Sequence, residues 1–250
     1  SRSKAKRSIM AGEVYVEGEL SDKAGNIVNS NDSIEVKSKI NKYVSRGGLK
    51  LEGALENFNL PIKDKLAIDI GSSTGGFTHC LLKKGAKKVW AVDVGKGQLD
   101  WKLRKDDRVE VLENTNARYL SEEMFPAKFD LATIDVSFIS VKHILPPLKD
   151  VLSRKANIAA LIKPQFEAGP KKVDKGGVVK DPEIQLDVLR DIRSFAEENG
   201  YKLKQCVFSP LPGKESKNIE YFFHMALERP AESIDLKEIV EKANLKFKES

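Results

Sequence analysis

Apolar runs and amphipathic segments alternate along the chain from residue 65 onward. PEIQLDVLRDIRSFAEENG predicts a long helix that begins at Asp181-Pro182 and ends at Gly200. Further helices are predicted at GGFTHCLLKKG and at the proline-containing VKHILPPLKDVL. The predicted strands are KLAIDIG, KKVWAVDVG, RVEVLENT, FDLATIDVSF, ANIAALIKP, KLKQCVFSPL and IEYFFHMAL. This alternation predicts an α/β fold with a mostly parallel seven-stranded sheet and helices on both faces.

The first 40 residues differ from the rest of the chain. They predict a short basic helix followed by short strands with turns at Glu17-Gly18 and Ala24-Gly25, which is too little chain for an independent core. We therefore expect a small α+β domain at 1–40, a linker at 41–48, the main domain at 49–228, and a charged C-terminal tail at 229–250.

The composition is that of an ordinary soluble globular protein: 40% of the 250 residues are hydrophobic and 32% are charged. No apolar run reaches the length of a membrane span, and no secretory signal pattern is visible. Cys80 and Cys206 lie in apolar surroundings without metal-ligand spacing. We expect buried, reduced thiols, no metal site and a cytoplasmic location.

The chain is modestly basic, with 43 basic and 37 acidic residues and a formal net charge of +6. Such a balance would help binding to a polyanion. One basic cluster lies at the N-terminus, and a second, with Lys175 and Lys180, lies in a glycine-containing loop. Each could simply be a solvated surface, but both flank the motifs described below, which favours phosphate contact. The candidate RNA-binding residues are Arg2, Lys4, Lys6, Arg7, Arg46, Lys171 and Lys172.

Polar residues follow successive predicted strands, and ligands of open parallel sheets bind beyond the carboxyl ends of the strands. The first strand is followed by GSSTGG, a loop that lets a ligand approach the backbone at a helix start. Asp93 ends the second strand, where its carboxylate could accept hydrogen bonds from both hydroxyls of a ribose; a turn or cap role is the alternative. The candidate cofactor-binding residues are Asp69, Gly71, Ser72, Ser73, Thr74, Gly75, Gly76, Phe77, Asp93, Val94, Asn114, Asn116 and Asp135.

A lysine ends the fifth predicted strand. Lys163 follows the apolar run from Asn157 to Ile162 and precedes Pro164, although lysine is among the residues least often buried. Asp135 ends the fourth strand. A purely structural ion pair between Lys163 and Asp135 is one explanation, and a place in a reaction centre is the other.

Several motifs together resemble one family. AIDIGSSTGGFTHCLL, VDVGKGQL, IDVSFIS, LIKPQFEAG and NIEYFF are similar to segments of the TlyA or hemolysin-A type of FtsJ-like RNA 2′-O-methyltransferases. KYVSRGGLKLEGAL resembles the interdomain linker and following helix of that family. KAKRSIMAGEVYVEGE resembles the middle of its small RNA-binding domain, named after ribosomal protein S-four; the first helix of that domain has no counterpart here. The resemblance extends to about residue 228 and implies a Rossmann-like methyltransferase fold.

The resemblance implies S-adenosylmethionine as methyl donor and a ribose 2′-hydroxyl of ribosomal RNA, at cytidine, as acceptor. It also implies a catalytic tetrad, which falls on Lys50, Asp135, Lys163 and Glu220. A ribose hydroxyl is a weak acid, so its attack on a methyl group needs alignment and removal of a proton. Lys163 is the expected proton acceptor, with Asp135 and Glu220 orienting the two ammonium groups.

Two other functions remain as alternatives. A membrane-lytic protein would agree with the hemolysin name, but the sequence has no long amphipathic helix suited to a bilayer. A nicotinamide-dependent dehydrogenase is disfavoured because the glycine spacing is GxxxGG, whereas dinucleotide sites have GxGxxG. The expected partners are ribosomal RNA or ribosomal subunits, with no membrane contact, and a monomer is favoured.

Overall fold

Parallel strands form the centre of the fold in the computed structural model, which describes residues 5–6, 8–9, 14–36, 42–213, 217–228, 230 and 232–248. The chain divides into two compact units, Ser1–Lys42 and Tyr43–Ser250. The second unit contains a seven-stranded sheet in the order β6-β5-β4-β7-β8-β10-β9. Its strands are β4 (Leu66–Ile70), β5 (Lys88–Val92), β6 (Val109–Leu112), β7 (Phe129–Ile134), β8 (Leu152–Ile162), β9 (Lys202–Phe208) and β10 (Tyr221–Ala226).

Strands β4 to β8 are parallel to one another, whereas β10 is antiparallel to both β8 and β9. The helices of this unit are α1 (Arg46–Phe58), α2 (Gly76–Lys83), α3 (Trp101–Arg104), α4 (Leu145–Val151), α5 (Pro164–Glu167), α6 (Pro182–Glu198) and α7 (Leu236–Lys248). Short 3₁₀ helices span Ala117–Tyr119, Glu122–Met124, Val141–His143 and Pro170–Lys172. The predicted seven-stranded, mostly parallel sheet is confirmed.

Helices cover both faces of the sheet, as predicted, because successive strand residues point to opposite faces. Ala67 and Ala91 pack with residues of α1 and α2 in one apolar cluster. Ile68 and Val92 belong to a second cluster, with residues of α4, α6 and α7. Helix α6 begins where the sequence predicts, because the Asp181 side chain accepts a hydrogen bond from the Glu183 N–H at 2.9 Å.

Three elements differ from the sequence-based expectation. Helix α1 begins at Arg46, inside the predicted linker, because Gly48 packs so closely on the Tyr43 ring that a Cβ would not fit. Helix α3 has only four residues, too few for a periodic pattern. Strand β8 begins at Leu152, ahead of its apolar run, where it pairs with Phe129.

The first unit contains a three-stranded antiparallel sheet in the order β2-β1-β3, with strands β1 (Val14–Val16), β2 (Glu19–Leu20) and β3 (Ile34–Val36). The predicted turn at Glu17-Gly18 is present, and both residues have positive φ. Helix α7 lies within the predicted tail and buries Leu236 and Val240. The boundaries of the four predicted segments stay predictions.

Cys80 and Cys206 are buried and are not joined in a disulfide bond, as expected. Among the described residues, no helix has the length and apolar character needed to cross a membrane. The same part of the chain has no group of three or more His, Cys, Asp or Glu residues that could hold a metal ion.

Candidate active site at the carboxyl edge of the sheet

Strands β4, β5, β6 and β7 end at one edge of the sheet, and a cavity of about 390 Å³ opens there. Apolar groups such as Ala117 and Val136 line it together with polar groups. Some lining residues were not predicted to bind a ligand, and Thr115, which follows β6, is an example. The predicted residues that line the cavity are Gly71, Ser73, Asp93, Val94, Asn116 and Asp135.

The Asp93 carboxylate is held by the backbone at the cavity wall. Its Oδ2 accepts a hydrogen bond from the Ser73 N–H at 2.8 Å, and its Oδ1 accepts one from the Gly95 N–H at 2.7 Å. Each carboxylate oxygen has a second lone pair. Asp93 therefore keeps two acceptor positions with which it can bind hydroxyl groups of a ligand.

Two glycines of the GSSTGG loop are needed for close approach. Gly71 has a φ of +79°, and a Cβ there would collide with the backbone carbonyl of Asp135. A Cβ on Gly76 would collide with Ser45 at the start of α1. Gly76 therefore serves the packing of α2 against α1, whereas Gly71 shapes the cavity.

The other residues of the loop region lie further from the cavity. Phe77 is buried and stacks on Phe222 with the ring centroids 5.9 Å apart. Asn114, with a φ of +53°, donates its N–H to Gly95 O at 3.1 Å. The predicted cofactor-binding residues outside the cavity lining are Asp69, Ser72, Thr74, Gly75, Gly76, Phe77 and Asn114.

Asp69 is fully buried beneath the loop. Its Oδ2 accepts hydrogen bonds from the Thr78 N–H at 2.9 Å and the Thr78 hydroxyl at 2.6 Å, and its Oδ1 accepts one from the Thr133 hydroxyl at 2.8 Å. Burial raises the pKa of this carboxyl from 3.8 to about 6, although the hydrogen bonds from the two threonines act in the opposite direction. Asp69 thus joins β4, α2 and β7 under the cavity.

Lys163 lies beside the cavity at the end of β8. Its Nζ is 2.6 Å from Asp135 Oδ1 and donates a hydrogen bond to the Ser137 hydroxyl at 2.9 Å. Only 11% of the Lys163 side chain is exposed, and 24% of that of Asp135. Pro164 begins α5 directly behind the lysine, so the backbone turns away from the site.

A second ion pair joins α1 to the beginning of β10. Lys50 Nζ is 2.5 Å from Glu220 Oε2, and the two side chains are 11% and 4% exposed. Because β10 is antiparallel to β8 and Tyr221 pairs with Ile162, the next position in that register places Glu220 opposite Lys163. The sheet therefore brings the four residues of the predicted tetrad to one edge as two adjacent ion pairs.

Sequence reasoning did not identify several groups of this edge. Ser137 belongs to the polar run after β7, yet nothing in the pattern distinguishes it as a partner of Lys163. Gln98 lines the cavity, with its Oε1 3.3 Å from Ser73 Oγ. Phe138 is 90% exposed at the cavity rim, has a φ of +63° and lies 4.9 Å from the Phe166 ring.

Glu113 was also missed, although it directly precedes the predicted Asn114. Hydrogen bonds from the Gly97 N–H and from the guanidinium of Arg104 lower the pKa of its carboxyl to about 2. Its Oε1 is 2.5 Å from Arg104 Nη2 and 3.2 Å from the Gln98 N–H. Glu113 therefore fixes the loop that carries Gln98. The sequence signal for this role is a charged residue at the end of a predicted strand.

The candidate RNA-binding residues occupy several places. Arg46 is exposed and donates to Pro212 O at 3.3 Å. Lys171 and Lys172 are exposed near α6, and Lys172 Nζ is 3.5 Å from Asp187 Oδ2. Lys6, in the first unit, is exposed. Arg2, Lys4 and Arg7 lie outside the described residues.

The loop after Lys172 is fastened to the segment that leads into β10. Asn218 is buried; its Oδ1 accepts the Val179 N–H at 2.8 Å, and its Nδ2 donates to Gly177 O at 2.7 Å. Gln185 donates to Val179 O at 2.9 Å and accepts the Tyr221 hydroxyl at 2.6 Å. Asn218 and Tyr221, which flank Glu220, thus hold the lysine-bearing loop near the two ion pairs.

This sheet order, with a ligand cavity at the carboxyl edge, defines the class of Rossmann-like methyltransferases. Within that class, residues 43–227 match the family described as FtsJ-like methyltransferase, and the chain belongs to this family. The fold and family expected from the sequence are thereby confirmed, and the dehydrogenase alternative is wrong.

Relatives and solved structures match over most of their lengths. The Bacillus subtilis protein YqxC is 48% identical over 258 residues, which cover 100% of this chain and 91% of that protein. TlyA of Mycobacterium tuberculosis, named a 16S/23S rRNA (cytidine-2′-O)-methyltransferase, is 44% identical over 89% of this chain and 83% of its own length. A solved structure of a hemolysin-named protein from Streptococcus thermophilus has a TM-score of 0.84 at 44% identity and covers 100% of this chain and 92% of that one.

Proposed function

We propose that this protein transfers a methyl group from S-adenosylmethionine to the ribose 2′-hydroxyl of a cytidine in ribosomal RNA. The observation that carries the proposal is the ion pair of Lys163 and Asp135 beside the cavity, with the pair of Lys50 and Glu220 next to it. The printed name of the M. tuberculosis relative supports the choice of acceptor. A ribosomal RNA acceptor would place the reaction in the cytoplasm, with the enzyme acting as a monomer.

The cavity offers both the polar and the apolar groups that the donor needs. The two remaining acceptor positions of Asp93 would receive the ribose hydroxyls of S-adenosylmethionine, while Val94, Ala117 and Ile139 offer apolar contact for the adenine. The backbone of the GSSTGG loop would lie against the amino-acid part of the donor, with Asp69 supporting the loop from below. When bound, the donor supplies an electrophilic methyl group.

The two ion pairs would align and deprotonate the acceptor. Lys163 Nζ lies beside the cavity, where the 2′-hydroxyl would enter in this proposal, and its contacts with Asp135 and Ser137 would fix its direction. We infer that Lys163, after its ammonium group has released one proton to solvent, accepts the hydroxyl proton as the neutral amine, and that Lys50, held by Glu220, stabilises negative charge on the oxygen. Alignment of the hydroxyl with the methyl group would supply much of the remaining acceleration.

Methyl transfer from labelled S-adenosylmethionine tests this function. Purified bacterial ribosomal subunits and naked 16S and 23S RNA serve as acceptors, and the modified nucleotide is mapped by its resistance to alkaline hydrolysis, which needs a free 2′-hydroxyl. We expect label at cytidine ribose. Label on a base, or label in protein only, would contradict the proposal.

A further inference from the structure

The sheet edge opposite the cavity carries a dense group of lysines. Residues 62–65, before β4, and 84–88, which lead into β5 and include its first residue, form two segments that are joined by hydrogen bonds. The Lys87 N–H donates to Lys65 O at 2.9 Å, and the Asp64 N–H donates to Gly85 O at 2.9 Å. We call the lysines of these segments and of the end of α2 the lysine edge: Lys63, Lys65, Lys83, Lys84, Lys87 and Lys88.

Positive charge at the lysine edge is only partly compensated. Lys88 Nζ lies 2.6 Å from Glu110 Oε1. Four other lysines, Lys63, Lys65, Lys84 and Lys87, make no ion pair with any residue that the structure describes. The acidic groups of this edge are Asp64, Asp106, Asp107, Glu110 and Asp130. Asp106 Oδ2 lies 2.7 Å from Arg108 Nη2, and Asp130 is engaged by the Leu66 N–H at 3.3 Å. The lysine edge therefore has an excess of positive charge.

We propose that the lysine edge is a second contact surface for the phosphate backbone of the acceptor RNA, an inference that rests on the proposed function. Lysine ammonium groups bind phosphates as point charges without reading sequence. None of the large apolar side chains that are exposed in the described part of the chain lies on these segments. The surface thus lacks the apolar anchors that a membrane or a protein interface would use, and its chemistry fits a polyanion.

The position of the lysine edge determines what kind of RNA can use it. Strand β4 has five residues from one edge to the other, which separates the lysine edge from the cavity by about 16 Å. A single target nucleotide cannot occupy both places. An acceptor that uses both places must therefore extend beyond its target nucleotide, with that nucleotide at the carboxyl edge and a neighbouring part of the RNA along the lysine edge.

The test removes the four lysines without an ion pair, in the variant K63A/K65A/K84A/K87A. Each phosphate contact contributes about 0.7–0.9 to the slope of log affinity against log salt. We expect this slope for ribosomal RNA to fall by about 3 and the KM for RNA to rise about 10- to 100-fold near physiological salt. The kcat and the affinity for S-adenosylmethionine, measured by calorimetry, should stay at wild-type values.

A matched control removes the same charge elsewhere. The variant K237A/K242A/K246A/K248A replaces four exposed lysines of α7 and should leave the salt slope and KM close to wild type. An equal loss in both variants would overturn the proposal, because net charge alone would then explain the effect. A wild-type slope in the lysine-edge variant would overturn it as well.

Anionic vesicles of phosphatidylglycerol and phosphatidylcholine distinguish a lipid partner. If the lysine-edge variant loses vesicle sedimentation but keeps the wild-type salt slope for RNA, the surface binds membrane and the proposal fails. Failure of the proposed function looks different, because the wild-type protein would then transfer no methyl group to any RNA at any salt concentration.

Discussion

Lys163 is the residue on which the proposed chemistry depends most. Its Nζ contacts Asp135 and Ser137 at the rim of the cavity, so K163A removes the group without rebuilding the donor site. We expect methyl transfer to fall about 10²–10⁴-fold, the usual cost of losing a general base, with donor affinity retained. K163R should fail too, because a guanidinium does not release its proton near neutral pH. Incorporation of labelled methyl groups measures both variants.

Lys142, which pairs with exposed Asp191, offers a control, and K142A should transfer at the wild-type rate. Near-normal transfer by K163A would leave Lys163 as a structural partner of Asp135. Substantial transfer by K163R would contradict only the proton-acceptor role and would favour orientation of the ribose by positive charge.

Asp93 is the residue on which the proposed binding of the donor depends most. D93A would remove two acceptor positions for ribose hydroxyls, each worth roughly 1.5–3 kcal/mol, and would release the N–H groups of Ser73 and Gly95. We expect the Kd for S-adenosylmethionine to rise at least about tenfold in calorimetry. D107A, on an exposed turn, is the control. Unchanged donor affinity in a folded D93A protein would refute the ribose assignment.

Asp69 gives the stability of the protein a specific pH dependence. Burial raises its folded-state pKa to about 6 from 3.8, so the folded state holds this proton more tightly than the unfolded chain. The protonated carboxyl therefore contributes to the free energy of unfolding below about pH 4. This contribution, about 3 kcal/mol, is lost as the pH rises through 6. Urea unfolding at pH values from 4 to 7 measures the free energy of unfolding of wild type and of D69N, and the difference between the two should change by this amount. A difference that stays the same at every pH would contradict the raised pKa of Asp69.

At the scale of elements, Asn218 fastens the lysine-bearing loop to the segment before β10. N218A would leave the Val179 N–H and the Gly177 carbonyl without this partner, at a cost of about 2–3 kcal/mol. We expect faster tryptic cleavage at Lys175 and Lys180 and a higher KM for RNA, with donor affinity unchanged. N57A, which removes an exposed side chain bonded within α1, should change neither. Wild-type cleavage and KM in N218A would show that the loop needs no such support.

The elements also show which parts of a fold local sequence can predict. Strand β4 and helix α6 were predicted because buried apolar runs and an Asp-Pro start are local signals. The beginning of α1 at Arg46 depends on how Gly48 packs on the Tyr43 ring within the linker and on how Gly76, from a distant part of the chain, packs on Ser45. Tertiary packing therefore extended a helix into a segment with two glycines.

The same distinction holds across the whole molecule. Strand order in a parallel sheet brings Asp93 and Asp135 to one edge, so both could be expected there from the sequence. Ser137, Gln98 and Glu113 required coordinates, because side-chain direction and loop course decide their contacts. The resemblance implied that Lys50 and Glu220, 170 residues apart, share one site, but their direct pairing required coordinates, since nothing in local periodicity indicates it.

The reversed direction of β10 affects how such a protein can change its acceptor. Residues before a parallel strand lie at the edge away from the cavity, but those before β10, such as Asn218 and Ile219, lie at the reacting edge. If the loops after β4 and β5 bind the donor as proposed, substitutions in this approach segment can alter which nucleotide is accepted while those loops stay intact. Acceptor choice and donor affinity can diverge independently within a single sheet.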